Sequence, residues 1–263
     1  MSGQPPSPSA VSHDRTIALK ALVTGGSRGI GLACALQLAR DGYDVVVAAR
    51  GSESLKQAVN AAAELGLKLR SLSMDVSDPL SVSAGFAQIG RLDVLVHSAG
   101  IGAYSDLMDP DDPANWQRVL AVNLTGAYLC ARAARSQMPG PGRMIFVSSV
   151  LGLRGMRHSH AYCASKHGVI GMVRALAQDL IGDGITVNAV CPGWVNTEMA
   201  HHDLAAMAAR YDLSLTELEA AELAAIPLGR WIEPQEVAAL AAYLSSSAAA
   251  ALTGQALELS GGL

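Results

Sequence analysis

ALKALVTGGSRGIGLACALQLARD, residues 18–41, reads as a strand, a glycine turn and a helix. Ala18–Val23 is the apolar strand and Arg28–Asp41 the helix. Between them runs Thr24-Gly25-Gly26-Ser27-Arg28-Gly29-Ile30-Gly31. A turn this tight needs positive φ or no Cβ, and glycine supplies both. Gly29 would let a pyrophosphate approach the backbone, and Gly31 would let the helix pack close to the strand. The exposed N–H groups and the helix dipole would then hold the phosphates. The same glycines could serve a bare connection. Their place at the start of a strand–helix–strand unit favours the phosphate.

The alternation continues outward from this stretch. Further strands are expected at Asp44–Ala49, Leu67–Met74, Leu92–His97, Arg143–Ser148, Ile185–Val190 and Gln255–Leu259. Helices are expected at Glu53–Leu65, Leu80–Ile89, through Trp116–Met138, from Ser159 to Ile181, and at Asp203–Tyr211, Leu215–Ala224 and Pro234–Leu244. The strands are continuous apolar runs, the mark of burial on both faces. Alternation then implies right-handed crossovers and a parallel sheet with helices on both sides. This is an α/β, doubly wound domain over residues 16–263. The Pro- and Ser-rich start, within residues 1–15, is expected to be a flexible tail.

Composition narrows the classes. Of 263 residues only 16% are charged, half are apolar and 4% are aromatic. Disorder requires the reverse balance. A net charge of -4 argues against a nucleic-acid binder. No run approaches the ~18 apolar residues of a membrane helix, and no secretory signal opens the chain. Cys34, Cys130, Cys163 and Cys191 lie far apart and read as buried thiols, so a cytoplasmic location is the default.

The second strand ends on Arg50, where an NAD binder usually carries an acid for the ribose 2′-OH. Arg28 projects from the glycine turn. Two guanidinium groups suit a 2′-phosphate, which favours NADP(H). Two solvated arginines are the alternative. Asp75, after the third strand, could accept from an adenine amine or merely cap its own loop.

Tyr162 and Lys166 stand four residues apart, on one face of a helix. A phenol with a pKa of ~10 is a poor base at neutral pH, and a neighbouring cation lowers it. Such a pair can exchange a proton with a carbonyl or alcohol oxygen.

Taken together, Thr24–Gly31, Asp75-Val76, His97-Ser98-Ala99-Gly100, Asn123, Ser148-Ser149, Tyr162, Lys166 and Cys191–Met199 resemble the short-chain dehydrogenase/reductase family over almost all of Ala18–Leu263. The resemblance implies a Rossmann-type sheet in the order 3-2-1-4-5-6-7. It implies Tyr162 as acid/base, Ser149 bonding the substrate oxygen, and Lys166 lowering the Tyr162 pKa and bonding the nicotinamide ribose. Asn123 would hold a relay water. Gly25, Ser27, Arg28, Gly29, Ile30, Gly31, Arg50, Asp75, Val76, Ala99, Gly100, Pro192, Gly193, Val195 and Thr197, with Tyr162 and Lys166, would line the cofactor site. Val195 (through its backbone) and Thr197 (through its hydroxyl) would bind the carboxamide.

One departure is His97-Ser98 where the family usually has Asn-Asn. His97 would either replace the bonds the first Asn makes to neighbouring backbone or leave that region looser, and it is not expected to take part in chemistry. The pairs His158/His160 and His201/His202 lack the spacing of a closed metal site, and no metal is expected. Arg154, His158 and His201 are expected to flank the substrate mouth. The segment 199–226 is expected to form a lid. Apolar residues there, Met207 and Tyr211 among them, could equally be ordinary packing.

Within the family the chain is most similar to β-ketoacyl reductases and aromatic polyketide ketoreductases. The expected activity is NADPH-dependent reduction of a β-ketoacyl thioester or hydrophobic ketone. The alternatives are an NAD-dependent secondary-alcohol dehydrogenase and a non-catalytic dinucleotide sensor. Arginines expected before the fifth and sixth strands for an acidic carrier protein are missing. Pro139-Gly140-Pro141-Gly142 and Ile181-Gly182-Asp183-Gly184 stand there, and Asp183 would repel such a partner. The family implies a homotetramer, which the low charge and the Ala-rich stretch Val237–Leu252 suit.

Overall fold

The computed structural model describes residues 18–102 and 104–263. The expected tail at 1–15 lies outside them. Seven strands form one parallel sheet: β1 (Lys20–Thr24), β2 (Asp44–Ala49), β3 (Leu69–Ser73), β4 (Val94–His97), β5 (Gly142–Val147), β6 (Ile185–Pro192) and β7 (Ala256–Leu259). Their order is β3-β2-β1-β4-β5-β6-β7, as expected.

Side-chain alternation splits the core in two. Leu22, Val46, Leu95, Met144 and Phe146 face one side, where they meet α3 (Pro79–Ile89), α5 (Gly126–Gln137) and α6 (His160–Leu180). Val23, Val45, Val47, Val96 and Ile145 face the other. There they meet α1 (Gly29–Arg40), α2 (Ser52–Glu64) and α9 (Pro234–Ser245). Each fully buried Val, Leu, Ile or Phe adds about 1.5–3 kcal/mol. Small residues such as Ala127, Ala131 and Ala134 let α5 lie close on the strands. All four cysteines are buried free thiols.

The region Trp116–Met138 is not one α-helix. It divides into α4 (Asp112–Leu120), a π turn (Ala121–Thr125) and α5. The cause is Asn123, whose side chain is bonded inside the fold while the helix continues past it. The helix expected from Asp203 begins earlier: α7 spans Glu198–Tyr211 because the Thr197 hydroxyl caps it. α8 (Leu215–Ala225) follows, opened by a Ser214–Glu217 capping box.

β1 and β4 pair in parallel, Thr24 beside His97, although β2 and β3 lie between them in the sequence, and this is the point where chain order reverses. The loops after these two strands diverge there and open a crevice at the carboxyl edge of the sheet.

Candidate active site

The glycine turn is fitted to its neighbours atom by atom. Gly25 has φ +65°, and a Cβ on it would lie 2.7 Å from the Ala99 backbone nitrogen. A Cβ on Gly31 would run into the Gly25 carbonyl. Arg28 enters α1 in extended conformation, with no side-chain cap and no acid in the first turn. The first N–H groups of α1 are therefore left for an outside anion.

Arg50 follows β2 directly, and its charge helps lower the Asp75 pKa, though the hydrogen bond from Ser77 is the larger cause. Asp75 Oδ1 accepts from the Ser77 nitrogen at 2.9 Å and from its hydroxyl at 2.6 Å, so this carboxylate shapes its own loop. Arg28 reaches Glu198 at 3.3 Å, both side chains being largely exposed. One of the two arginines expected for a 2′-phosphate thus has a competing partner.

The four residues expected to carry the chemistry converge. Ser149 follows β5 and begins a short 3₁₀ turn, its Oγ accepting from the Leu151 nitrogen at 3.1 Å. Tyr162 and Lys166 lie on α6. Lys166 Nζ donates to the Val147 carbonyl at 2.9 Å and sits 5.5 Å from the centre of the Tyr162 ring. Asn123 Oδ1 accepts from the Ile101 nitrogen at 2.8 Å, while its Nδ2 donates to the Ile101 carbonyl at 3.0 Å and to Ser165 Oγ at 3.2 Å. A Cβ on Gly100 would lie 3.4 Å from Asn123 Oδ1 and 3.5 Å from Lys166 Nζ, so Asn123 pins the loop that passes beside the lysine.

Burial sets the proton balance here. It pushes the Tyr162 phenol up to about 12, with Ser149 drawing it partly back and the Asp203 charge adding to the rise. It pushes Lys166 down to about 8. Desolvation of the phenolate is the largest cause of the rise, and Lys166, expected to lower it, is turned toward the Val147 carbonyl.

Of the two outcomes open for His97, the structure has it bonded to the neighbouring strand. Its Nδ1 pairs with Thr24 Oγ1 at 2.9 Å, which ties β4 to β1. Burial, aided by the Lys166 charge, pushes it down to about 3, so it is neutral. Its Nε2 is buried with no partner among the described residues.

All the residues expected to hold the cofactor, with Ser149, line one cavity of about 1300 Å³. Ligand pockets commonly measure ~300–1,000 Å³, so this one has room for a dinucleotide and a substrate together. Asn123 stands behind its wall. Val195 forms an isolated parallel bridge with Ile232. Ile232 bonds the Trp194 carbonyl and the Asn196 nitrogen, so the Val195 N–H points the other way. The Thr197 hydroxyl, assigned to a carboxamide, is engaged here as the α7 cap and with the Val195 carbonyl.

Arg154 and His158 line the mouth as expected, Arg154 with Glu258 at 3.8 Å. His201 does not; it bonds Asn196 at 2.9 Å and lies against Trp231. Among the described residues no three His, Cys, Asp or Glu side chains group as metal ligands. No described helix is long and apolar enough to cross a membrane. Asp203 and Tyr104 also line the cavity and carry no recognisable sequence pattern, and Trp194, within Cys191–Met199, joins them.

Comparison with known proteins gives the same picture. Residues 25–263 match the family model described as enoyl-(acyl carrier protein) reductase. A Streptomyces virginiae chain named for the ketoacyl reductase of a monensin polyketide synthase is 42% identical over 255 residues, covering 92% of this chain and 96% of the relative. A 3-oxoacyl-acyl-carrier-protein reductase of Staphylococcus aureus is 37% identical over 250 residues, with 92% and 97% covered. A crystal structure of an actinorhodin polyketide ketoreductase variant with NADPH superposes with a TM-score of 0.89 at 37% identity, covering 94% of this chain and 97% of that one.

Proposed function

The chain belongs to the short-chain dehydrogenase/reductase family, and from that premise we propose that Tyr162 is the proton donor in the NADPH-dependent reduction of a β-ketoacyl thioester or hydrophobic ketone to a secondary alcohol. Ketone reduction is what its ketoreductase relatives are named for, and NADPH is the cofactor in the solved neighbour.

The observation that carries the reading is the half-buried Tyr162 phenol beside Ser149, its pKa pushed up to about 12 by desolvation. At neutral pH it holds its proton, the form a carbonyl reduction consumes.

NADP(H) fits the residues present. The open α1 N-terminus would take the pyrophosphate, Arg50 and Arg28 the 2′-phosphate, and the Val195 N–H the carboxamide. When bound, this cofactor supplies the hydride to the carbonyl carbon. Ser149 Oγ donates to the carbonyl oxygen as negative charge grows there. Tyr162 then delivers its proton to that oxygen. Lys166, held by the Val147 carbonyl, keeps a positive charge near the phenol as it gives up its proton.

The carrier-protein question changes in one respect. Asp183 is ion-paired with Arg135 at 2.6 Å, so the repulsion expected from Asp183 is partly neutralised. A free or CoA-linked ketone still suits the missing arginines better.

The test follows NADPH absorbance over a panel of ketones. Tyr162→Phe should lower kcat by about 10²–10⁴-fold, the scale of general acid catalysis, while NADPH fluorescence still reports binding. Turnover retained by that variant overturns the mechanism. NADH bound about ten-fold tighter than NADPH overturns the cofactor assignment.

A further inference from the structure

Asp203 stands on the inner side of α7 and lines the same cavity as Tyr162, Ser149 and Lys166. Its carboxylate rests on Gly102: a Cβ there would lie 2.9 Å from Cγ and 3.0 Å from Oδ1. The side chain is 38% exposed, and its one close basic side chain among the described residues is His202, with Nδ1 at 3.6 Å from Oδ1. His202 itself is 83% exposed, so that pair is weak. Burial raises the Asp203 pKa, and its charge is felt at the Tyr162 phenol. A partly dehydrated carboxylate thus faces the reaction space with its acceptor capacity largely unspent.

Building on the ketoreductase reading, we propose that Asp203 is a specificity-determining residue that accepts a hydrogen bond from a hydroxyl group of an uncharged ketone substrate. A partly buried carboxylate gains most from a donor that repays its lost water, and an O–H to carboxylate bond is among the stronger kinds. The charge of the donor follows from the other charged groups of the cavity. Arg154 and Arg157 line it and disfavour an ammonium group. Asp203 itself disfavours a free acid near the reacting carbon. A neutral ketone carrying a hydroxyl satisfies both. The other α7 and α8 carboxylates of the cavity are engaged: Glu222 accepts from Trp194 Nε1 at 2.8 Å and Glu198 pairs with Arg28 at 3.3 Å.

Tetralone, hydroxytetralone isomers and the matching methoxytetralones test this, since methoxy keeps the bulk and removes the donor. For the wild type, kcat/KM should favour a hydroxytetralone over its methoxy partner about ten-fold, mainly through KM. Asp203→Ala should erase that ratio, and Asp203→Asn, whose amide oxygen still accepts, should restore part of it. Bound NADPH fluorescence shows that each variant has folded. Equal ratios in wild type and Asp203→Ala overturn the role of Asp203 and leave ketone reduction standing. If the NADPH-bound wild type reduces no ketone at all, β-ketoacyl thioesters included, the ketone reading falls and this inference with it.

Discussion

Tyr162 and Lys166 share a helix face, yet burial drives their proton equilibria apart. For Lys166 the folded pKa of about 8 lies below the ordinary 10.5. Between those values the unfolded chain binds more protons, so this residue makes stability rise with pH. Below about 8 its desolvation cost is present in full. The melting temperature of Lys166→Met should therefore exceed that of the wild type at neutral pH, and the gap should close as pH climbs from about 8 toward 10.5. Taking the difference between the proteins cancels Tyr162 and the buried cysteines, whose raised values act in the opposite sense above about 9. A gap that stays constant would show that Lys166 is not a dehydrated cation. Sequence spacing was enough to name this pair. It was not enough to show which force prevails, because the groups that exclude water come from β5, β6 and α7, far along the chain. Asp203 escaped notice for the same reason: its significance lies in Gly102 and Tyr162, not in its sequence neighbours.

At the scale of elements, the strands were legible because a parallel sheet writes itself as uninterrupted apolar runs. Their ends shifted by one or two residues, as at β3 and β6. The π turn was not legible, since Ala121–Thr125 has ordinary helical residues and only the bonds of Asn123 to Ile101 and Ser165 give it a purpose. The expected lid resolves into α7 and α8 with a small core of their own, formed by Leu204, Leu218 and Trp231 and separate from the two large ones. The Trp194–Glu222 bond ties α8 to the end of β6. Replacing Glu222 with Ala removes a charge-assisted bond, a change of about 1.5–3 kcal/mol. Limited proteolysis within 198–226 should then speed up about ten-fold while the rest of the domain stays resistant. An unchanged cleavage rate would mean that the bond does not hold these helices down.

At the scale of the molecule, helices pack on both faces of the sheet, yet Tyr128 on α5 and Tyr243 on α9 remain 49% and 45% exposed. With only 16% charged residues, such surface is suited to contact with further copies of the chain. Sedimentation should give a tetramer at micromolar concentration; a monomer would leave the low charge without this explanation. The order of the strands has a last consequence, for the chain as it is made. β1 cannot find its neighbour β4 until some 70 residues later, and the cavity that begins at Gly25 is not closed until Thr197 and Asp203 have left the ribosome. A half-synthesised chain offers the dinucleotide only an open trough. Ligand binding can therefore reward the finished domain and does nothing to rescue a truncated one.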